Sequence, residues 1–291
     1  RRNAIDLLDD IRKTAPTSAN RTQTVLVTLW NWAVEEEILE TNPIAGLKKP
    51  AKETPKERIV TDEELKILWP AIGAGEVSAD IAGALRLLLL TGQRPGEIAG
   101  LMRVEVHALD SARDARLEVP AERMKARRAH VVPLAATARG IVAEAVERRM
   151  ADGDDALRPI GRERAVFGSR FSSRTTLARH SLSQGLRKII AALDAEDSPQ
   201  AEIIRELQAK PPTPHDFRRT VGTGLGRLGI PRGDRKAVLG HVEDDVLGRL
   251  YDRYDRLREK RMALEAWDRH VAKLLSGRAA GAKVIPIVRV R

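Results

Sequence analysis

This 291-residue chain contains two tyrosines, and they stand three positions apart, Tyr251 and Tyr254 in "LGHVEDDVLGRLYDRYDRLREKR". His241 precedes the first of them by ten positions and follows a glycine. Either the phenols belong to an apolar stripe or one of them is a reagent. On a single helix at 100° per residue, Leu250, Leu257 and Leu264 line one face with Val246 and Val271 near it. Tyr254 then falls within the stripe and Tyr251 at its edge, with its hydroxyl freer to be presented. Upstream, "TPHDFRRT" spaces His215 and Arg218 at i, i+3, on one helical face, with Arg219 rotated away. A His and an Arg at a helix N-terminus can grip a phosphate, although the same residues are common on ordinary surfaces. Arg94 stands at a break between two helical runs with Glu97 one turn on, where an ordinary ion pair would also explain it. Lys125 lies in the basic cluster "ERMKARRAH", which as a hairpin tip would simply be solvated.

The elements that must position these residues can be read in outline. Residues 3–13 and 17–39 carry helical periodicity, with Ser18 or Asn20 available as a cap for the second run. "NPIAGLKKPAKETPKERIV" reads as a solvated linker and puts a domain boundary near residue 52. Thr61 and Glu64 form a capping-box signal for the next helix. A further helix over 78–90 stops at Gly92, and Pro95 suits the first turn of its successor, so two helices meet at Gln93–Arg94. Short alternating runs between 103 and 133 predict a small antiparallel sheet. Beyond them the chain reads as helical, apart from loops near 152–165 and 194–214. Pro214 and Asp216 open a helix, and "GLGRLGIPRGDRKAVLGH" reads as helix, tight turn at Gly229–Pro231, and helix ended by Gly240. That last unit is also compatible with a helix-turn-helix that enters a DNA major groove.

Composition narrows the partners. Lys and Arg number 51 against 41 Asp and Glu, a net charge of +10. The excess is spread through the chain without a basic tail, which suits a folded surface facing a polyanion. Aromatics are 3%, so the core must be aliphatic, which favours helices. With no Cys, disulfides, thiolate metal sites and a Cys nucleophile are all excluded. The longest apolar run, Leu85–Leu90 with Arg86 inside it, is far too short to cross a bilayer, so no membrane partner is expected. The chain opens on "RRNAIDLL", without Met and already in helical periodicity, so a preceding segment is expected.

Five motifs in order, "LLLLTGQRPGEIAGL", "AERMKARRAHVVPLA", "TPHDFRRTVGTGLGRLGI", "VLGHVEDD" and then a Tyr, resemble the tyrosine recombinase (phage-type integrase) family, in its prophage and genomic-island branch. The upstream "ANRTQTVLVTLWNWAVEEEILETNPIAGL" resembles the end of that family's core-binding domain. The resemblance implies a mainly α fold with a small antiparallel β-sheet, in two-domain architecture. Residues 1–51 would be the C-terminal part of a helical core-binding domain with its linker, 52–275 the catalytic domain and 276–291 a tail. It implies Arg94 and Arg218 as phosphate-clamping arginines, Lys125 as the hairpin lysine, and His215 and His241 as the two histidines. Tyr251 is implied as nucleophile, because in this branch the nucleophile follows the second histidine by nine or ten positions. No cofactor or metal is implied.

In that chemistry a tyrosine hydroxyl attacks a DNA phosphodiester, leaving a 3′-phosphotyrosine and a free 5′-hydroxyl. Two guanidiniums neutralise the charge on the non-bridging oxygens, Lys125 protonates the leaving oxygen, and the histidines assist. The implied partners are double-stranded DNA attachment sites, a homotetramer assembled on them and accessory DNA-bending proteins. The implied setting is the bacterial cytoplasm. "KVIPIVRV" (283–290) is expected to dock on a neighbouring protomer, while Asp244 and Asp245 depart from the pattern, since their negative charge near the nucleophile would oppose phosphate approach unless they point to solvent. A non-catalytic helix-turn-helix regulator would leave Arg94, Lys125 and Tyr251 without a role. A type IB topoisomerase-like enzyme would share the nicking step without exchanging partners. The dispersed carboxylates disfavour a metal-dependent integrase.

Overall fold

The computed structural model describes the chain except for residues 54–56, 125–126, 152–163, 170–171, 197, 242–254 and 278–291. Lys125, Tyr251, Tyr254, Asp244, Asp245 and the 283–290 tail therefore lie outside the described residues. The chain divides into two compact units, Arg1–Glu57 and Arg58–Arg291, so the division falls a little beyond residue 52. Among the described residues no helix is long and apolar enough to cross a membrane.

The first unit is a helical hairpin of α1 (Arg2–Thr14) and α2 (Pro16–Glu35). Pro16 starts α2 at a position where its missing N–H costs nothing. The expected caps are not used: neither Ser18 nor Asn20 precedes the helix. Asn20 instead is buried and pairs both ways with Ala51, accepting from its N–H at 2.9 Å and donating to its carbonyl at 2.8 Å. Gln23 likewise donates to the Leu47 carbonyl, and Ile44 is buried. The stretch expected to be a solvated linker is thus partly fastened back onto α2, because two helix-borne amides satisfy its backbone.

In the second unit, Thr61 and Glu64 close the expected capping box at the start of α3 (Asp62–Ile72). The central helix is α4 (Ala79–Thr91), where Ala84, Leu85 and Leu87–Leu90 are all buried. A helix with so many buried apolar positions must be surrounded, and α4 packs against α6 (Ala136–Ala151), α7 (Arg179–Ala191) and α9 (Pro214–Arg227). The last described helix, α11 (Leu257–Leu275), also reaches it, with the Trp267 indole donating to the Leu89 carbonyl at 2.7 Å. Between α4 and α6 come the short α5 (Pro95–Ala99) and the expected antiparallel sheet, β1 (Val106–His107), β2 (Arg116–Val119) and β3 (His130–Pro133), paired in that order. Leu117 faces Val132 and Val119 faces His130, and all four are buried on one side of the sheet. The fold class is as the sequence implied, mainly α with a small antiparallel sheet.

Two elements depart from the reading. A second hairpin, β4 (Gly168–Ser169) and β5 (Ser172–Thr176), replaces helix. α8 (Ala201–Ala209) occupies the expected loop over 194–214, because Ile204 and Leu207 have a core to enter. A third correction concerns the tyrosine wheel. Arg256 has a left-handed backbone, φ 49°, and α11 begins after it. Helical phase therefore does not carry from Leu257 back to Tyr254 or Leu250, and Leu257 is itself exposed while Leu264 and Val271 are buried. Wheel geometry no longer separates the two tyrosines.

Candidate active site

Three helix ends build the site. α4 stops at Gly92, whose φ of 65° favours glycine and where a Cβ would crowd Val221 and Leu239 at 3.0 Å. Gln93 and Arg94 follow directly and lead into α5. α9 ends in a Schellman motif about Gly229, with the Ile230 N–H on the Leu225 carbonyl and the Gly229 N–H on that of Gly226. After Pro231 comes α10 (Arg232–Val238), which ends in a second such motif about Gly240. The His241 N–H reaches the Lys236 carbonyl at 3.0 Å and the Gly240 N–H that of Ala237 at 3.1 Å. The helix-turn-helix outline of the sequence is thus present. The predicted stop at Gly240 falls one residue past the cap, Leu239.

The last carbonyls of a helix have no partner within it. At the end of α10 three consecutive ones are taken by residues from elsewhere in the fold. The Val238 carbonyl accepts from Gln93 Nε2 at 3.0 Å and lies 3.2 Å from His130 Nε2. The Leu239 carbonyl accepts from Arg218 Nη2 at 2.5 Å, and the Gly240 carbonyl from Arg94 Nη2 at 3.4 Å. Arg218 also donates through Nη1 to the Gly92 carbonyl at 3.0 Å, so it bridges the ends of α4 and α10. Two arginines 124 positions apart in the chain are thereby brought to one row of carbonyls.

Their electrostatic settings differ. Arg94 is held by Glu97, which takes its Nη1 at 2.7 Å with one carboxylate oxygen and its backbone N–H at 3.0 Å with the other. Glu97 is buried, so the ion pair expected from the sequence is also the cap of α5. Arg218 is 5% exposed and, among the described residues, forms no ion pair. Its pKa is pushed down to about 10, first by burial and then by the charge of Arg94, against a partial offset from Glu97. Backbone carbonyls satisfy some of its N–H groups but do not cancel its charge. An anion placed against this pair would relieve both the desolvation and the mutual repulsion.

His215 lies at the surface in the first turn of α9, where Thr213 and the buried Asp216 form the capping interaction. Partial loss of water around it comes first, then Arg219 and Arg218, in holding its pKa below the ordinary value. Arg219, at i+4 from His215, shares its helical face instead of being rotated away from it, and pairs with the neighbouring Asp216. His241 is exposed just past the Gly240 turn. The structure therefore brings Arg94 and Arg218 together, with His215 close enough to feel both charges and His241 one residue beyond the Gly240 carbonyl that Arg94 reaches.

Sequence reasoning missed two residues of this site, Gln93 and His130, both buried. Gln93 Nε2 donates to the carbonyls of Thr91 at 2.8 Å and Val238, which leaves its Oε1 facing His130 Nε2 at 3.2 Å. Because the neighbours of His130 Nε2 are both acceptors, that nitrogen carries the proton. The signal was a polar residue at an inward position of an alternating strand.

Residues 58–257 match the family model described as "Phage integrase family". This chain belongs to the phage integrase family. The resemblance read from the five motifs is borne out. Among curated proteins the chain is similar to prophage integrase IntZ of Escherichia coli (strain K12), 27% identical over 280 residues, covering 95% of this chain and 61% of IntZ. Prophage integrase IntA of the same organism is 23% identical over 249 residues, covering 85% of this chain and 52% of IntA. The chain thus spans about three-fifths and about half of these two relatives. The fold is similar to that of lambda integrase in a dimer bound to a COC′ core site, with a TM-score of 0.57 and 18% identity, covering 88% of this chain and 65% of that one.

Proposed function

We propose that this integrase-family chain cuts and rejoins DNA as a site-specific recombinase of the tyrosine type, in the integration or excision of a mobile element. The observation that carries the reading is the pair of converging arginines, Arg94 and Arg218, fixed by backbone carbonyls and left with an excess of positive charge. A pentacoordinate phosphoryl transition state gathers negative charge on its non-bridging oxygens, and two fixed guanidiniums meet that charge without reorganising. Like-charge repulsion between the two guanidiniums makes the anion-bound state the better one.

In the proposed step the phenol oxygen of Tyr251 forms a bond to the scissile phosphorus and the bond to the 5′-oxygen breaks. His215, whose lowered pKa favours the neutral imidazole, takes the phenolic proton. Lys125 delivers a proton to the departing 5′-oxygen, and His241 donates a hydrogen bond to the phosphate. The phosphodiester energy is kept in the tyrosyl ester, so the 5′-hydroxyl of a partner strand can reverse the step without a nucleotide. Tyr251 is preferred to Tyr254 because of its ten-residue spacing from His241.

The partners in this reading are double-stranded attachment sites and a homotetramer formed on them, with accessory bending proteins, in the bacterial cytoplasm. The 283–290 tail docks on the neighbouring protomer; deletion of residues 277–291 should then abolish tetramers on DNA. The direct test is a nicked suicide substrate in EDTA. A covalent DNA complex that persists in Tyr254→Phe and disappears in Tyr251→Phe supports the reading. No covalent complex with the unaltered chain returns a non-catalytic DNA-binding regulator.

A further inference from the structure

We infer that His130 is a positioning residue for this reaction, fastening the β2–β3 connection to the carbonyl row that holds the two arginines. The inference rests on the recombinase reading of the site.

His130 is the first residue of β3, and the connection it closes is the one that contains Lys125. Its ring points to the buried side of the sheet, opposite Val119, and ends on Val238 and Gln93. Each of those contacts leads to a different part of the site. Val238 carries the first of the three consecutive carbonyls, and the next two receive Arg218 and Arg94. Gln93 is the residue before Arg94, and its amide orientation is set by its own two carbonyl acceptors. The Gly240 backbone packs against the ring, where a Cβ would sit 3.2 Å from it. One imidazole N–H is therefore shared between the loop that presents Arg94 and the helix end that presents His241.

A buried residue that only filled space would not need this donor. Aliphatic side chains serve at Leu117, Val119 and Val132 on the same face of the sheet. A donor at His130 Nε2 instead makes the strand register, the Gln93 amide and the α10 carbonyls mutually dependent. Small displacements of a general acid or of a phosphate clamp cost rate steeply, even where substrate is still bound.

The test compares His130→Leu, which removes the donor, with His130→Gln, which keeps an amide N–H within reach. Binding of intact duplex and single-turnover covalent cleavage of a suicide substrate are measured separately. His130→Leu should cleave roughly 10- to 100-fold more slowly with DNA affinity within about twofold, and His130→Gln should recover most of the rate. If His130→Leu does not fold, His130→Asn, polar but too short to reach Val238, takes its place with the same expectation. Equal rates for the unaltered chain and the donor-less variant would overturn the inference. So would equal slowing of the Leu and Gln variants, or a loss of DNA affinity in step with the loss of rate. An unaltered chain that forms no covalent complex would sink the recombinase reading and this inference together, a result distinct from the others.

Discussion

The second unit contains two pairs of arginines drawn to one place, and they are treated in opposite ways. Arg148 and Arg149 converge on the buried carboxylate of Asp80, Arg148 at 2.8 Å and Arg149 on the other oxygen. Glu144 adds a second carboxylate to Arg148, and the Gly168 N–H donates to Asp80 at 3.2 Å. Two positive charges there meet two negative ones, and the cluster joins α4, α6 and β4. Arg94 and Arg218 share one close carboxylate, Glu97, and are otherwise held by carbonyls. Neutralised arginines act as structure. Arginines whose geometry is fixed but whose charge is not cancelled are prepared for an anion that arrives from outside.

That contrast can be broken at either end. The largest effect is expected at Asp80. Asp80→Asn removes the buried carboxylate on which both arginines converge and leaves Arg148 its exposed pairing with Glu144, and chemical denaturation should register a loss of roughly 3–5 kcal/mol. At saturating DNA the fraction that remains folded should still cleave at the normal rate. A cleavage defect beyond the folded fraction would place Asp80 in the chemistry. Arg218→Lys comes next. It keeps the charge but cannot bridge the Gly92 and Leu239 carbonyls, so single-turnover cleavage should fall by about 10²–10³-fold.

The third prediction concerns pH. His130 is held near a pKa of about 4, first by burial and then by Lys260, against smaller opposing effects from Glu97, the Val238 carbonyl and Asp255. Between about 6.5 and 4 the unfolded chain binds this proton and the folded chain does not. Stability from this residue is therefore complete above the unfolded value and is lost as pH falls through that window, by up to roughly 3 kcal/mol. Denaturation of His130→Gln over the same range should have a correspondingly shallower slope. An identical slope would mean that the histidine is not buried neutral. The smallest effect is expected for Glu97→Gln, which preserves a cap on the Arg94 N–H but removes a charge; cleavage should slow by about tenfold, DNA affinity changing little.

Local chemistry made much of the frame legible. The Thr61–Glu64 box, the stop at Gly92, Pro95, and the helix opened by Pro214 and Asp216 all depend on neighbours within a turn. What failed depended on distant partners. Asn20 has the chemistry of a cap, yet the backbone it satisfies lies 31 residues away at Ala51. Ile204 and Leu207 lie in a stretch expected to be loop, and the core they enter, distant in sequence, is what makes it a helix. The tyrosine wheel assumed a continuous helix that the left-handed backbone at Arg256 interrupts. In the site, Arg94 and Arg218 were reached through family resemblance, since no spacing predicts that both find the end of α10. Gln93 and His130 lie inside two of the quoted motifs, but their place in the site is recognisable only by the carbonyls they meet.

The central claim is that Arg94 and Arg218 serve to neutralise a phosphate, and one comparison tests it most directly. Arg218→Ala and the unaltered chain are assayed for covalent cleavage on a suicide substrate with an ordinary scissile phosphodiester. The assay is repeated with a methylphosphonate at that position, which removes the non-bridging charge. The account predicts a severe defect of Arg218→Ala on the phosphodiester that largely disappears on the neutral substrate. A defect of the same size on both substrates would contradict it.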